Sequence, residues 1–174
     1  RNPSTMFKAL NELITEHPAA ASRLKIRLAG EVDISVIEAL KENELFERTE
    51  LLGMIPRSHV IKEYETASML LLPINKADNA AGRIPGKLFE MMRSGKPILV
   101  LGPENGDVKQ IVESETMGRS FEYDNKEGLK NFLGQALNED QFENYNPKND
   151  NKKFSNEVLT SKIASYLDEI TRSK

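Results

Sequence analysis

The segment GRIPGKLFEMMRSGKPILVLG, from Gly82 to Gly102, gives the clearest indication of the fold class of this chain. A basic loop broken by glycine and proline leads into a helix that Pro85 is expected to open. A second proline, Pro97, then starts the continuous apolar run PILVLG. Such runs are typical of strands that are buried on both faces of a parallel sheet. The segment therefore predicts a helix followed by a buried strand, which is one unit of an α/β domain.

The same alternation of helices and strands is predicted for the rest of the chain. Further strands are predicted at Leu24–Gly30, around Leu51 and Leu52, at Met69–Ile74 and at Arg119–Tyr123. Helices are predicted to begin near Asn2-Pro3, Ile34, Ser58, Val108, Leu129 and Ser155, with Ser58 and Ser155 as caps. This alternation indicates a Rossmann-like, doubly wound parallel sheet with helices on both faces. Because such a domain normally opens with a strand, we expect its first strand to lie upstream of Arg1.

Composition excludes several classes of function. The 174 residues suit one domain, and their net charge of −3 gives no reason to expect nucleic acid as a partner. Without cysteine the chain has neither disulfides nor thiolate metal sites, and its two histidines, His17 and His59, are too far apart in sequence to predict a metal pair. No apolar run approaches the roughly 18 to 20 residues that cross a bilayer, and no signal peptide is visible.

The chain is predicted to consist of two segments. Residues 1–152 are predicted to form the Rossmann-like domain, which ends in a polar surface connection over residues 138–152. Residues 153–174 are predicted to form a C-terminal amphipathic helix with one apolar stripe. We expect this stripe to pack on the same domain, with docking on a neighbouring domain as the alternative.

The loop before Pro85 is the first candidate site. In open α/β sheets, ligands bind beyond the carboxyl ends of the strands, where this loop is expected to lie. Gly82 and Gly86 allow close approach of the backbone, and Arg83 and Lys87 add positive charge. Free N–H groups at a helix start complete a site for an anion such as phosphate. The alternative is an ordinary helix start with two solvated basic residues.

Glu90 is the second candidate. It stands between Leu88-Phe89 and Met91-Met92, which are expected to point into the core. A carboxylate close to a phosphate site makes sense if it accepts hydrogen bonds from neighbouring hydroxyl groups, as acidic residues do from ribose in dinucleotide folds. The alternative is an ion pair with Arg93 or another basic residue at the rim of the helix. No convincing catalytic arrangement of residues is visible.

Several of these segments resemble one family. LKIRLAGE, ELLGMIPRSHVIKEYETASMLLLPI and, most specifically, GRIPGKLFEMMRSGKPILVLGPENGDVKQIVE are similar to the C-terminal, donor-binding half of GT-B glycosyltransferases. NPSTMFKAL resembles the first helix of that half. The similarity covers about residues 1–138. It implies a domain that binds a nucleoside diphosphate sugar, UDP- or GDP-linked, whose sugar is transferred to an acceptor.

The resemblance also implies roles for individual residues. Glu90 matches the second glutamate of the family's Glu-x7-Glu motif, which holds the ribose hydroxyl groups. The donor diphosphate would be bound by Arg1 and by the backbone around Gly86, Lys87 and Leu88. Gly30 and Glu31 would border the nucleotide cleft, and Met54 and Ile55 would contact the base. The implied chemistry uses no metal and no cofactor, since cationic side chains would stabilise the diphosphate and no Asp-x-Asp motif is present.

One departure from the family pattern concerns the sugar. The first glutamate of the motif would fall at position 82, which is Gly82 here, so Asn79 or Arg83 would have to replace it. This departure supports the alternative of a non-catalytic binding module, and half of a GT-B epimerase is a further alternative. The resemblance further implies an N-terminal Rossmann-like partner domain that holds the acceptor. It also implies a cytoplasmic location, at the inner membrane face by peripheral association, and a role in bacterial surface polysaccharide or lipopolysaccharide synthesis.

Overall fold

Helices and strands alternate along the chain in the computed structural model, which describes residues 3–138 and 154–172. The strands are β1 (Ile26–Ala29), β2 (Thr49–Gly53), β3 (Leu70–Pro73), β4 (Ile98–Leu101) and β5 (Gly118–Phe121). The helices are α1 (Ser4–Glu16), α2 (Pro18–Ala21), α3 (Ile34–Glu42), α4 (Arg57–Thr66), α5 (Lys87–Arg93), α6 (Asp107–Ser114), α7 (Lys126–Asn138) and α8 (Asn156–Arg172). A 3₁₀ turn, Phe46–Arg48, precedes β2.

Among the described residues, all strand pairs are parallel, and they form two sheets. β1 pairs with β2, with Ile26 opposite Thr49, while β4 lies between β3 and β5. In the doubly wound order, the first strand lies between the second and the fourth. The strands that would flank it here are β1 and β3, and no pairing joins these two in the described residues. The arrangement is compatible with an additional first strand, which stays a prediction.

Alternate residues of β4 face two separate cores. Leu99 and Leu101 pack into a cluster with α1, α3 and α7, and this cluster also includes Ile26 and Leu28 of β1. Ile98 and Val100 point the other way, into a cluster built with α5 and α6. The central strand is therefore buried on both faces, as the apolar run PILVLG predicted. The Rossmann-like α/β fold class is confirmed.

Three predicted helix starts are corrected. α7 begins at Lys126, three residues before the predicted Leu129. α4 begins at Arg57 after Pro56, so Ser58 lies inside the helix and does not cap it. α5 begins at Lys87 with Gly86 as its N-terminal flank, two residues after Pro85. Ser155 does cap α8, since its hydroxyl oxygen accepts a hydrogen bond of 3.3 Å from the N–H of Val158.

The apolar stripe of α8 is exposed. Its members are Leu159, Ile163, Tyr166, Leu167 and Ile170. Packing of this stripe on the same domain and docking on a neighbouring domain both stay predictions. The start of the segment is attached to α5, because the rings of Phe154 and Phe89 lie 5.5 Å apart. Most of the predicted polar connection, residues 139–152, lies outside the described residues.

Candidate functional site

A pocket of about 330 Å³ opens where β3 ends. It is lined by Pro73, Ile74, Asn75, Arg83, Ile84, Pro85, Gly86 and Lys87. The lining therefore comes from the end of a parallel strand and from the loop that leads into α5, which is the position where ligands bind in open α/β sheets. Both basic residues predicted for this loop belong to the lining.

Hydrogen bonds to its backbone carbonyls fix the loop between β3 and α5. Ala80 is buried, and the neighbouring Ala81 carbonyl accepts a hydrogen bond of 2.8 Å from the N–H of Asp107 at the start of α6. On the other side, the hydroxyl of Tyr123 donates to the Asn75 carbonyl at 3.4 Å. The core side chains of α5, Leu88, Met91 and Met92, are buried beneath the loop's end. The loop that lines the pocket is thus held in place by hydrogen bonds from Asp107 and from Tyr123.

The predicted anion-binding backbone is partly engaged. The N–H of Leu88 donates to the Pro85 carbonyl at 2.9 Å, and the Leu88 side chain is fully buried. Gly86 and Lys87, just before it, line the pocket. A side-chain Cβ built on Gly82 or Gly86 would meet no atom within 4 Å, so both glycines border open space. An approaching ligand would therefore meet no steric obstacle at these two positions.

Glu90 lies in the first turn of α5 and forms an ion pair with Arg57. The distance between Arg57 Nη2 and Glu90 Oε1 is 2.5 Å, and the Glu90 side chain is 36% exposed. Tyr64 lies two turns further along α4. Burial, and to a smaller extent the negative charge of Glu90, raise the pKa of the Tyr64 hydroxyl. Glu90 therefore faces α4, and its carboxylate is reachable from solvent.

The second group of predicted residues follows β1 and β2. The N–H of Gly30 donates to the Gly53 carbonyl at 2.7 Å, which brings the two strand ends together. Both glycines have positive φ angles, +102° and +61°, which residues with a side chain rarely adopt. Met54 is 84% exposed just beyond this junction. Gly30, Glu31, Met54 and Ile55 therefore lie along one edge, at the ends of adjacent strands.

The structure brings only some of the predicted residues into the pocket. Arg83, Gly86 and Lys87 line it, whereas Asn79 and Gly82 are exposed parts of the same loop that do not. Arg1 lies outside the described residues. In the described ranges, no group of three or more acidic, histidine or cysteine side chains could hold a metal ion.

Sequence reasoning missed Arg57. An ion pair of Glu90 with some basic residue was one of the expected alternatives, but Arg93 was the partner named. Arg57 lies 33 residues before Glu90 and opens α4, three residues after Met54. The sequence indicated that Arg57 follows the end of a strand, but it gave no sign that Glu90 is the partner of Arg57. Through this pair, the residues that follow β2 are connected to α5.

The structure shows an α/β protein with a pocket at the carboxyl end of β3, and Arg83 and Lys87 are among its lining residues. The family model for group 1 glycosyl transferases matches residues 3–139 of the 174. The chain therefore belongs to the group 1 glycosyltransferases, which confirms the resemblance noted in its sequence. Membership supports glycosyl transfer as the class of activity. No curated protein matches the chain. Within residues 3–138 and 154–172, no helix is both long and apolar enough to cross a membrane.

Proposed function

We propose that this chain is the donor-binding domain of a glycosyltransferase that moves a sugar from a nucleoside diphosphate sugar to an acceptor. The observation that carries the proposal is the pocket at the end of β3. Arg83 and Lys87 line it, and Glu90 lies in the first turn of the adjoining helix. Positive charge beside a solvent-reachable carboxylate suits a ligand that carries both phosphate and hydroxyl groups. A nucleoside diphosphate, with UDP and GDP as the first candidates, carries both.

The diphosphate is proposed to bind at the base of the loop. The side chains of Arg83 and Lys87, with the backbone of Gly86, would hold it, and Arg1 and the Leu88 region would complete the site as the resemblance implies. Fixed cations at this place would also stabilise the charge that develops on the leaving diphosphate. This role requires neither a metal nor a cofactor.

The nucleoside is proposed to lie between α5 and the edge formed by β1 and β2. Glu90 would accept hydrogen bonds from the ribose hydroxyls. Gly30 and Glu31 would border the cleft, and Met54 and Ile55 would contact the base, since the exposed apolar surface of Met54 suits a flat aromatic ring. The sugar would lie towards Asn79, Gly82 and Arg83.

The whole enzyme is proposed to contain an N-terminal Rossmann-like domain that holds the acceptor, with this chain inactive in transfer when alone. We place it in bacterial surface polysaccharide or lipopolysaccharide synthesis, on the cytoplasmic side of the membrane with peripheral attachment. These proposals rest on the family and on the resemblance of its sequence motifs.

Calorimetric titration with UDP, GDP and ADP tests the proposal. One nucleotide is expected to bind, and Glu90→Ala is expected to weaken it about tenfold to a hundredfold, the usual range for a lost hydrogen bond to a charged group. Glu63→Ala is the control because Glu63 is also paired with an arginine, Arg27, at 2.9 Å. Its variant should bind nucleotide like the unchanged chain.

Two results would count against the proposal. The first is the absence of binding by all three nucleotides, both to this chain and to the same chain extended by an N-terminal strand. The second is an equal loss of affinity in Glu90→Ala and Glu63→Ala, which would mean that Glu90 has no special role.

A further inference from the structure

Arg57 occupies a fixed place at the rim of the proposed nucleoside site. It is the first residue of α4, directly after Pro56. The Pro56 carbonyl accepts hydrogen bonds from the N–H groups of His59 and Val60, at 2.9 and 3.1 Å, so the first turn of the helix is well formed. The Arg57 side chain is 75% exposed and reaches across to α5. Its backbone is therefore ordered while its guanidinium group stays at the surface.

The contact with Glu90 involves one carboxylate oxygen. Arg57 Nη2 lies 2.5 Å from Oε1, and the structure gives Oε2 no partner in the described residues. A carboxylate has about four positions at which it can accept hydrogen bonds. The ion pair with Arg57 therefore leaves acceptor capacity on Oε2 for the hydroxyl groups of a ligand.

Arg57 also changes the local charge. A lone carboxylate close to a diphosphate site would repel the ligand, which is an electrostatic difficulty for the proposed role of Glu90. The guanidinium of Arg57 offsets this charge without occupying both oxygens. It also restricts a side chain with three rotatable bonds, and a side chain that is ordered beforehand loses less freedom when it binds.

We infer that Arg57 is a positioning residue that holds the Glu90 carboxylate ready for the ribose hydroxyls of the donor. This inference rests on the proposed function and adds a residue for which neither the family match nor the sequence motifs gave a role. Arg57 acts on the ligand through Glu90. Its removal should therefore affect only nucleotides whose ribose hydroxyls reach that carboxylate.

A double-mutant cycle tests this inference. The nucleotide among UDP, GDP and ADP that binds best is titrated into Arg57→Ala, Glu90→Ala and the double variant, beside the unchanged chain. Arg57→Ala is expected to weaken binding about twofold to tenfold, the range for losing the pre-ordering of one flexible side chain. In the Glu90→Ala background, the same change should have no effect. Arg57→Lys should restore part of the affinity, because a lysine can still donate to Oε1.

The 2′,3′-dideoxy form of the same nucleotide is the second probe. Its affinity should be the same for the unchanged chain and for Arg57→Ala, since it has no ribose hydroxyl for Glu90 to accept. Arg27→Ala is the matched control, because Arg27 pairs with Glu50 and Glu63 instead of Glu90. Circular dichroism of each variant verifies that it is folded, and Arg57→Gln replaces Arg57→Ala if the alanine variant is not.

The outcomes separate this inference from the proposed function. Nucleotide binding that Arg57→Ala leaves unchanged, or tightens, overturns the role of Arg57 while the donor site stands. Equal weakening of the ribose and dideoxy nucleotides also overturns it, since Arg57 would then contact the phosphates directly. Failure of every nucleotide to bind, both to this chain and to the same chain extended by an N-terminal strand, overturns the proposed function, and the inference with it.

Discussion

At the scale of single residues, two glycines of this chain have opposite requirements. A Cβ built on Gly118 would lie 1.9 Å from the carbonyl oxygen of Ile98, because β5 runs against β4 at that point. No other residue fits there without moving a strand. Gly82 has open space where its Cβ would be, and its φ angle is not in the left-handed region. Packing inside the chain therefore fixes Gly118 and leaves position 82 free to change.

Because of this freedom, Gly82→Glu is predicted to fold normally and to restore the first glutamate of the Glu-x7-Glu motif. On the proposed function, the variant should gain affinity for the nucleotide sugar relative to the free nucleotide, by about threefold or more, since one added hydrogen bond contributes about 1 kcal/mol. Calorimetry with both ligands measures the ratio. Gly82→Gln is the matched control for the charge. A ratio that stays the same in Gly82→Glu would argue against a sugar site at this end of the loop.

At the scale of elements, α1 and α7 pack side by side and are joined by charged side chains. The two oxygens of Glu12 on α1 meet Lys126 and Lys130 on α7, at 2.5 and 3.0 Å. Lys130 also reaches Glu16, at 2.6 Å. The hydrogen bonds from Lys126, and then from Lys130, lower the pKa of Glu12 below its ordinary value of 4.5. The stabilising form of this contact is therefore the ionised one.

This shift predicts a pH dependence of stability. Since the pKa of Glu12 is lower in the folded chain than in the unfolded chain, its contribution is complete above the ordinary value of 4.5 and is lost as the pH falls through the folded value. Glu12→Gln should therefore lower the free energy of unfolding at neutral pH and have little effect in acid. Urea unfolding of both proteins at several pH values measures this difference.

Added salt should reduce the same difference, because the contact is at the surface. The matched control is Glu38→Gln, since Glu38 is exposed on α3 and has no ion pair in the described residues. Its effect should be small and independent of pH. A Glu12→Gln difference that is constant from neutral pH to acid would contradict the prediction.

The elements were predictable from sequence where their pattern is long or unambiguous. The runs at Met69–Ile74 and Pro97–Gly102 predicted β3 and β4 correctly because burial on both faces requires continuous apolar residues. The four-residue helix α2 and the 3₁₀ turn before β2 were missed, since neither is long enough to show a helical period.

The candidate site was predictable to a similar degree. The basic residues of the loop before α5 could be recognised because they are close together in sequence, and the structure places both in one pocket. The pairing of Glu90 with Arg57 could not be recognised, because tertiary packing brings together residues that are 33 positions apart. Local patterns thus predicted which segment carries the site, but they did not predict how its carboxylate is held.

At the scale of the whole molecule, the two sheets differ in how well they are covered. Each residue of β4 is buried, and α5 and α6 cover one of its faces. In β1 and β2, by contrast, several side chains are exposed, and α4 contributes no buried residue. The cluster that includes α1, α3 and α7 reaches both sheets and connects them on one face. In the described residues, the buried apolar contacts of the β1–β2 pair therefore come from this one helical layer.

One consequence concerns how the native protein opens to solvent. Amide hydrogens of β1 and β2 should exchange with deuterium through partial openings that leave β3, β4 and β5 intact, because fewer apolar contacts must break to release the first pair. Exchange measured by NMR would then show two groups of amides, one in β1 and β2 and the other in the sheet that contains β4. Only the second group would report the free energy of global unfolding. Equal protection in both sheets would instead mean that the molecule unfolds as one cooperative unit. With two groups, the proposed nucleoside edge at Gly30 and Gly53 would belong to the part of the protein that opens first, and a bound nucleotide should slow exchange there most.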